Sequence, residues 1–318
     1  MDIKDVRNVT VAGGGTQGSQ IASQIAYKGF NVTVWVRSNE SIDRARPRFE
    51  RVYGQYQDAL EAMRSGDPDA YCRGLSDTAE LTSGQIDELK AQAAERLGAI
   101  TFETDYDRAF GNADVVIECI NENPAEKTAF YTELAKHLPE RTVLLTDSST
   151  FLPSMFAEAT GRPDRYMSFH FANQIWRNNI TELMRQDKTS DETFAFARAF
   201  AEAIGMIPLM LNKEQPGYIL NSLLIPWFKA ACALVATGVA DVETVDRTWV
   251  LSTGADFEQA PFRKLDRIGL PLAWKIMSMD PTAKDPASPV AQSVALLKGY
   301  IDAGKTGVAA GEGFYSYK

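Results

Sequence analysis

Two histidines occur in the chain, and one of them sits where a proton could be put to use. His170 lies in SFHFANQ at the end of an apolar run, and Glu182 follows twelve residues later in NNITELM. Imidazole both gives and takes a proton near neutrality. A carboxylate on its second ring nitrogen would fix the tautomer and stabilise the imidazolium. Such a pair could act as general acid and base on an oxygen. Spacing alone does not bring the two together, and a core histidine satisfied by hydrogen bonds fits the same residues. His137, in AKHLPE at the end of an amphipathic helix, reads as a surface residue or a helix C-cap.

A second chemical signal stands near the N-terminus. Gly13-Gly14-Gly15-Thr16-Gln17-Gly18 fits G-x-G-x-x-G between a short apolar strand and a helix, the setting in which that pattern holds a dinucleotide pyrophosphate. Gly13 would permit the tight turn, Gly15 would let the backbone approach the phosphates, and Gly18 would let helix and strand pack closely. The anion would rest on the helix N-terminus beside Thr16 and Gln17. The plain alternative is a glycine turn without a ligand.

The elements needed to position these residues are legible in outline. NVTVAG (8–13), NVTVWV (31–36), ADVVIECI (113–120), TVLLTDSS (142–149), RYMSFHFA (165–172) and MIPLML (206–211) read as buried strands. Strand, glycine turn, helix and strand in fewer than about 30 residues form a βαβ unit and imply a parallel sheet. Residues 41–64 read as a long helix kinked near Pro47, and 65–100 as polar and helical with a break at SGDPD. Together, 41–100 form a helical insertion. Residues 213–318 lose the strand signal and read as helices between Gly and Pro turns. The fold class is α/β: a Rossmann-type doubly wound sheet over 1–212, then an all-helical domain over 213–318, with the site in the cleft between them.

Composition narrows the function. The chain has 318 residues, 45% of them hydrophobic, enough for two domains with their own cores. A net charge of −9 argues against a nucleic-acid partner. Cys72, Cys119 and Cys232 are widely spaced, without CxxC or Cys/His clustering, and read as free thiols with no metal site. No charged-then-apolar leader precedes the first strand, and no apolar run is read as reaching the roughly 18 residues of a membrane span. The expectation is a cytoplasmic protein with no membrane partner.

The motifs also carry a family likeness. His170-Phe171-x-Asn173 with Glu182 resembles the H-F-F-N-P…E signature of the 3-hydroxyacyl-CoA dehydrogenases. IECINENPAEKTAFYTEL resembles that family's segment around the nicotinamide ribose, and Asp147-Ser148-Ser149-Thr150 its N-T-S-S turn. PGYILNSLLIP resembles P-G-F-I-x-N-R-L-x-x-P, TGADFEQAPFRKLDRIGL resembles G-x-P-x-G-P-F-x-x-x-D-x-x-G-L, and GEGFYSY resembles G-x-G-F-Y-x-Y. The motifs run in the family's order over almost the whole chain. The resemblance implies that His170 is the acid/base and Glu182 orients it. It also implies that Ser149 and Asn221 bond the substrate oxygen, that Asn173 orders the site, and that Glu122 and Lys127 contact the cofactor. A solvated Lys127 is the plain alternative. The helical domain would form a homodimer.

Departures bear on substrate and cofactor. Ala172 and Gln174 stand where the family has Phe and Pro, and HFAN followed by Trp176 resembles a branch with diketo-ester reductases. The leading expectation is hydride exchange between NAD(P) and a short 3-hydroxyacyl-CoA. One alternative is a small non-CoA β-keto ester or hydroxy acid. Another is a structural dinucleotide-binding protein of the lambda-crystallin type, against which the intact His170–Glu182 pair counts. Arg44, Arg46, Arg48 and Arg51 could meet coenzyme A phosphates or form a solvated helix face. Where the family ends its second strand with Asp for the ribose 2′-hydroxyl, this chain has Val36, then Arg37 and Ser38. Valine accepts no hydrogen bond, and Arg37 suits a phosphate, which favours NADP(H). Family habit favours NAD, with Arg37 stacked on adenine and Asn39 or Glu40 reaching the hydroxyl.

Overall fold

The structure, a computed structural model, describes residues 1–317 and divides into two compact units, Met1–Ile219 and Leu220–Lys318. The first holds eight strands: β1 Asn8–Ala12, β2 Asn31–Trp35, β3 Thr101–Glu103, β4 Val115–Glu118, β5 Val143–Thr146, β6 Tyr166–Phe171, β7 Ile180–Met184 and β8 Ile207–Leu211. Their order is β3-β2-β1-β4-β5-β6-β7-β8. The first six strands run parallel, β7 is antiparallel to β6, and β8 is parallel to β7.

Helices cover both faces, which is why the central strands are largely apolar. Strand residues Val9, Val11, Val115, Ile117, Leu145 and Phe169 pack with α1 (Thr16–Tyr27), α2 (Asn39–Met63), α3 (Ser83–Gly98) and α6 (Asp191–Ala203). On the opposite face Ala12, Val116, Leu144 and Tyr166 pack with α4 (Tyr106–Phe110) and α5 (Pro124–Leu134). The two-residue period of a strand therefore turns His170 to the face opposite Phe169 and Phe171.

α2 is one long helix, as read, with Pro47 inside it. Other expectations change. Residues 65–82 are largely non-helical, apart from a short 3-10 turn at Pro68–Ala70, and a helix resumes only at Ser83, capped by the Thr82–Gln85 box. Pro68 cannot donate a helical hydrogen bond, and the segment is held from a distance instead. Gly74 N donates to Trp176 O at 2.9 Å, and Arg177 Nη1 donates to Asp69 O at 2.8 Å. Finally, β3 and β7 were not anticipated. The unit boundary also falls later than 212, because the preceding residues bond back to the first unit. Tyr218 Oη donates to Ser148 O at 2.6 Å, and Ile219 N donates to Glu182 Oε1 at 2.8 Å.

α7 (Tyr218–Ala236), α8 (Val242–Thr253), α9 (Pro261–Ile268), α10 (Leu270–Ser278) and α11 (Pro289–Asp302) follow. In the second unit Phe228, Cys232, Phe262, Leu265, Met277 and Leu297 form the core. Its C-terminal segment is pinned to a buried carboxylate: Asp266 accepts from Phe314 N, Tyr315 N and Tyr317 Oη at 2.8–2.9 Å. Contrary to the expectation about apolar runs, α7 is, at 19 residues, long and apolar enough to cross a membrane by length and composition. Within that helix Lys229 pairs with Asp280 of the same unit.

Candidate active site

The glycine turn closes tightly on its neighbours. Gly13 has φ 124° and donates to Trp35 O at 2.9 Å, and a Cβ there would stand 2.5 Å from Cys119 O. A Cβ on Gly18 would stand 2.0 Å from Gly13 O, so α1 could not lie this close to β1 with any other residue. Gly15 faces open space, with nothing within 4 Å of its Cβ position. The turn opens on a cleft of about 530 Å³ at the point where strand order reverses between β1 and β4. That is where dinucleotides bind in doubly wound sheets, with the pyrophosphate on the α1 N-terminus. The residues present fit such a group.

At the end of β2 the cleft is lined by buried Val36, exposed Arg37, Ser41, Arg44 and Arg48. Ser38 Oγ caps α2 by accepting from Ser41 N, and Ser41 lines the cleft. Arg44 Nη2 donates to Ser41 Oγ at 2.7 Å, and Arg48 Nη1 donates to Arg44 O at 2.7 Å. Among the described residues none of Arg37, Arg44 and Arg48 forms an ion pair. Arg46 turns away, over the Phe102 ring.

Lys127 is not a solvated lysine. It is 1% exposed and bonds Glu118 Oε1 at 2.6 Å, with Glu122 Oε1 at 3.7 Å. Glu118, fully buried, also accepts from Tyr131 Oη at 2.6 Å and Thr146 Oγ1 at 2.7 Å. A buried charge pair is tolerated only when its remaining polar atoms are satisfied in this way. Glu122 accepts from Ser148 Oγ at 2.9 Å and Thr150 Oγ1 at 2.8 Å, anchoring the turn after β5. Sequence reading missed Glu118. Its signal was a carboxylate ending an otherwise apolar strand, nine residues before a lysine on the following helix.

On that turn Ser149 Oγ lies 3.1 Å from His170 Nε2. The β6–β7 register places His170 directly opposite Glu182, and His170 Nδ1 lies 3.2 Å from Glu182 Oε2. The result is a chain, Ser149–His170–Glu182, with the carboxylate almost fully buried and the imidazole partly accessible. With Nδ1–H held by Glu182, Nε2 is left to exchange a proton with an oxygen beside Ser149. Gln17 Nε2 donates to Ala172 O at 3.1 Å, tying the glycine turn to the end of β6.

Two other expected members have their own surroundings. Asn173 is exposed, and its backbone carbonyl accepts from Asn178 Nδ2 at 2.8 Å. Asn221 belongs to the second unit, where it lines an apolar cavity of about 280 Å³ with Leu224, Phe228, Lys264 and Met277. Two residues enter unannounced. Asp147, whose Oδ1 accepts from Phe171 N at 2.9 Å, has its carboxyl pushed up to about 7 by burial, with Glu118 and Glu122 adding to the effect and His170 opposing it. Tyr218 stacks on His170.

Comparison with known proteins identifies the family. Residues 8–215 match the model described as "3-hydroxyacyl-CoA dehydrogenase, NAD binding domain", and residues 217–317 the one described as "3-hydroxyacyl-CoA dehydrogenase, C-terminal domain". A probable 3-hydroxyacyl-CoA dehydrogenase of Caenorhabditis elegans is 29% identical, over 99% of this chain and 97% of its own. A probable 3-hydroxybutyryl-CoA dehydrogenase of Deinococcus radiodurans is also 29% identical, over 96% and 99%. Among solved structures, a diketoreductase acting on dicarbonyl compounds superposes with a TM-score of 0.84 at 39% identity, over 98% of this chain and 99% of that one. The (S)-3-hydroxybutyryl-CoA dehydrogenase of Ralstonia eutropha gives 0.75 at 25% identity, over 99% and 100%.

Proposed function

The chain belongs to the 3-hydroxyacyl-CoA dehydrogenase family, an oxidoreductase with an NAD(P)-binding domain, and on that premise we propose that it interconverts a short 3-hydroxyacyl-CoA and its 3-keto form. The observation that carries this reading is the Ser149–His170–Glu182 chain. The nicotinamide cofactor, when bound, supplies or accepts the hydride. In the reductive direction His170 delivers a proton from Nε2 to the substrate oxygen, Ser149 donates a hydrogen bond to that oxygen, and Glu182 stabilises the imidazolium beforehand. In the oxidative direction neutral His170 takes the hydroxyl proton. Gly13, Gly15 and Gly18 shape the pyrophosphate cradle, and Lys127 and Glu122 hold the loop beside it.

A second substrate reading has its own support, the likeness at 39% identity to a diketoreductase. Moreover, Arg44 and Arg48 line the dinucleotide cleft, so they are not free to serve coenzyme A phosphates while they serve the cofactor. For the cofactor we favour NADP(H). Val36 offers the ribose no acceptor, while Arg37, Ser41, Arg44 and Arg48 offer a 2′-phosphate several donors near the N-terminus of α2. One charge-assisted contact is worth roughly 1.5–3 kcal/mol, or about 10- to 150-fold in affinity. A homodimer through the second unit is also proposed, supported by its exposed apolar residues Leu223, Leu251 and Met279.

The test is a matrix of initial rates: acetoacetyl-CoA and a free β-keto ester, each with NADPH and NADH. The expected result is the highest kcat/KM for acetoacetyl-CoA with NADPH. A far higher value for the ester would overturn the CoA reading, and NADH performing as well as NADPH would overturn the NADP assignment.

A further inference from the structure

Tyr218 lies flat on the candidate acid/base. Its ring and the His170 imidazole are stacked, with centroids 4.3 Å apart and planes 13° from parallel. The hydroxyl donates to Ser148 O at 2.6 Å, on the residue just before Ser149. The ring is therefore anchored to the turn that carries the histidine's other neighbour. The backbone at Tyr218 has φ 55°, a left-handed conformation that a non-glycine residue adopts at a cost. Such strain persists where surrounding contacts over-determine it, and it clusters at functional sites. Here it has a visible effect. The same turn aims the Tyr218 ring at the imidazole face and the Ile219 N–H at Glu182 Oε1, 2.8 Å away. One strained turn thus holds both members of the pair. In the motif PGYILNSLLIP this residue stands where the resembled pattern has Phe, a ring without the hydroxyl that anchors it here.

Resting on the reading of His170 as the acid/base, we propose that Tyr218 is a positioning residue for proton transfer, its ring supporting the imidazolium and its hydroxyl locking that ring to the Ser149 turn. An aromatic face stabilises an adjacent cation most when both are shielded from water. His170 becomes that cation in one half of the reaction. The ring also bars the imidazole from tilting out of line with Ser149 and Glu182, and small misplacements of a reacting group reduce rates steeply.

The experiment compares wild type with Tyr218→Phe, Tyr218→Leu and His170→Gln in the full-length chain. Hydride transfer is followed by stopped flow at saturating ketone and reduced cofactor, with cofactor Kd and Tm measured alongside. Tyr218→Phe keeps the ring and loses the anchor, and should slow hydride transfer about 3- to 10-fold. Tyr218→Leu loses both and should slow it roughly 30-fold or more, with Phe a clear partial rescue. Cofactor Kd should change less than about twofold in either, so the loss falls on kcat. A Leu variant that folds and transfers hydride within twofold of wild type overturns the proposal. If the Leu variant does not fold, the Phe variant decides, and a rate within twofold of wild type overturns it. Near-normal turnover in His170→Gln would instead remove the underlying reading of His170.

Discussion

Asp147 shows how one side chain changes the site's response to pH. The resembled turn carries Asn where this chain has a buried aspartate among Glu118, Glu122 and His170. Its carboxyl titrates at about 7 in the fold against 3.8 as its ordinary value, chiefly because burial disfavours the charged form. The folded state therefore binds this proton more tightly than the unfolded chain. The penalty of the ionised carboxylate is complete above about pH 7 and shrinks as pH falls toward 4. Asp147→Asn keeps an acceptor for Phe171 N and removes the charge. It should stabilise the protein at pH 8 by on the order of 2–3 kcal/mol more than at pH 5. Denaturant unfolding at both pH values would show this, and an equal gain at the two would refute the buried charge. His170 and Glu182 were legible as candidates because their types suit acid/base work. Asp147 was visible only as a motif letter, since its burial depends on strands distant in sequence.

Among elements, the β1–α1 turn separates two uses of glycine that the pattern G-x-G-x-x-G lumps together. Gly18 lets the helix lie against the strand, whereas Gly15 leaves room beside the helix N-terminus. Gly18→Ala must push α1 away from β1, and should destabilise the fold by roughly 1–3 kcal/mol. Gly15→Ala meets no protein atom and has an ordinary backbone conformation, φ −73°. It should leave Tm nearly unchanged and weaken cofactor binding by about tenfold or more, because its methyl occupies the space a pyrophosphate needs. Paired Tm and cofactor titrations check both. Equal losses of stability in the two variants would contradict the assignment. Strands β1, β2, β4, β5 and β6 were readable because parallel strands covered on both faces are continuous apolar runs. β7 was not, because NITELM mixes polar and apolar residues on a strand antiparallel to its neighbour. Yet β7 is the element that delivers Glu182.

For the whole molecule, the proposed homodimer can be tested directly. Leu223, Leu251 and Met279 are each about two-thirds exposed or more in the single chain, and covering such apolar residues is what the proposed interface would achieve. Sedimentation at micromolar concentration should give about twice the chain mass, and replacing Leu223 and Leu251 with charged residues should shift it to the monomer. A wild-type monomer would reject the interface. The sequence by itself determined the doubly wound class, the glycine turn, the family and the histidine worth watching, because each is written in local residue types, periodicity or ordered motifs. Tertiary structure decided the rest. Pairing of β6 with β7 set Glu182 opposite His170. Burial turned Lys127 from a surface charge into Glu118's partner. A left-handed turn at Tyr218 closed over the imidazole. Each of these depends on the register or burial of segments far apart in the chain, and neither quantity is encoded in the local pattern of residues.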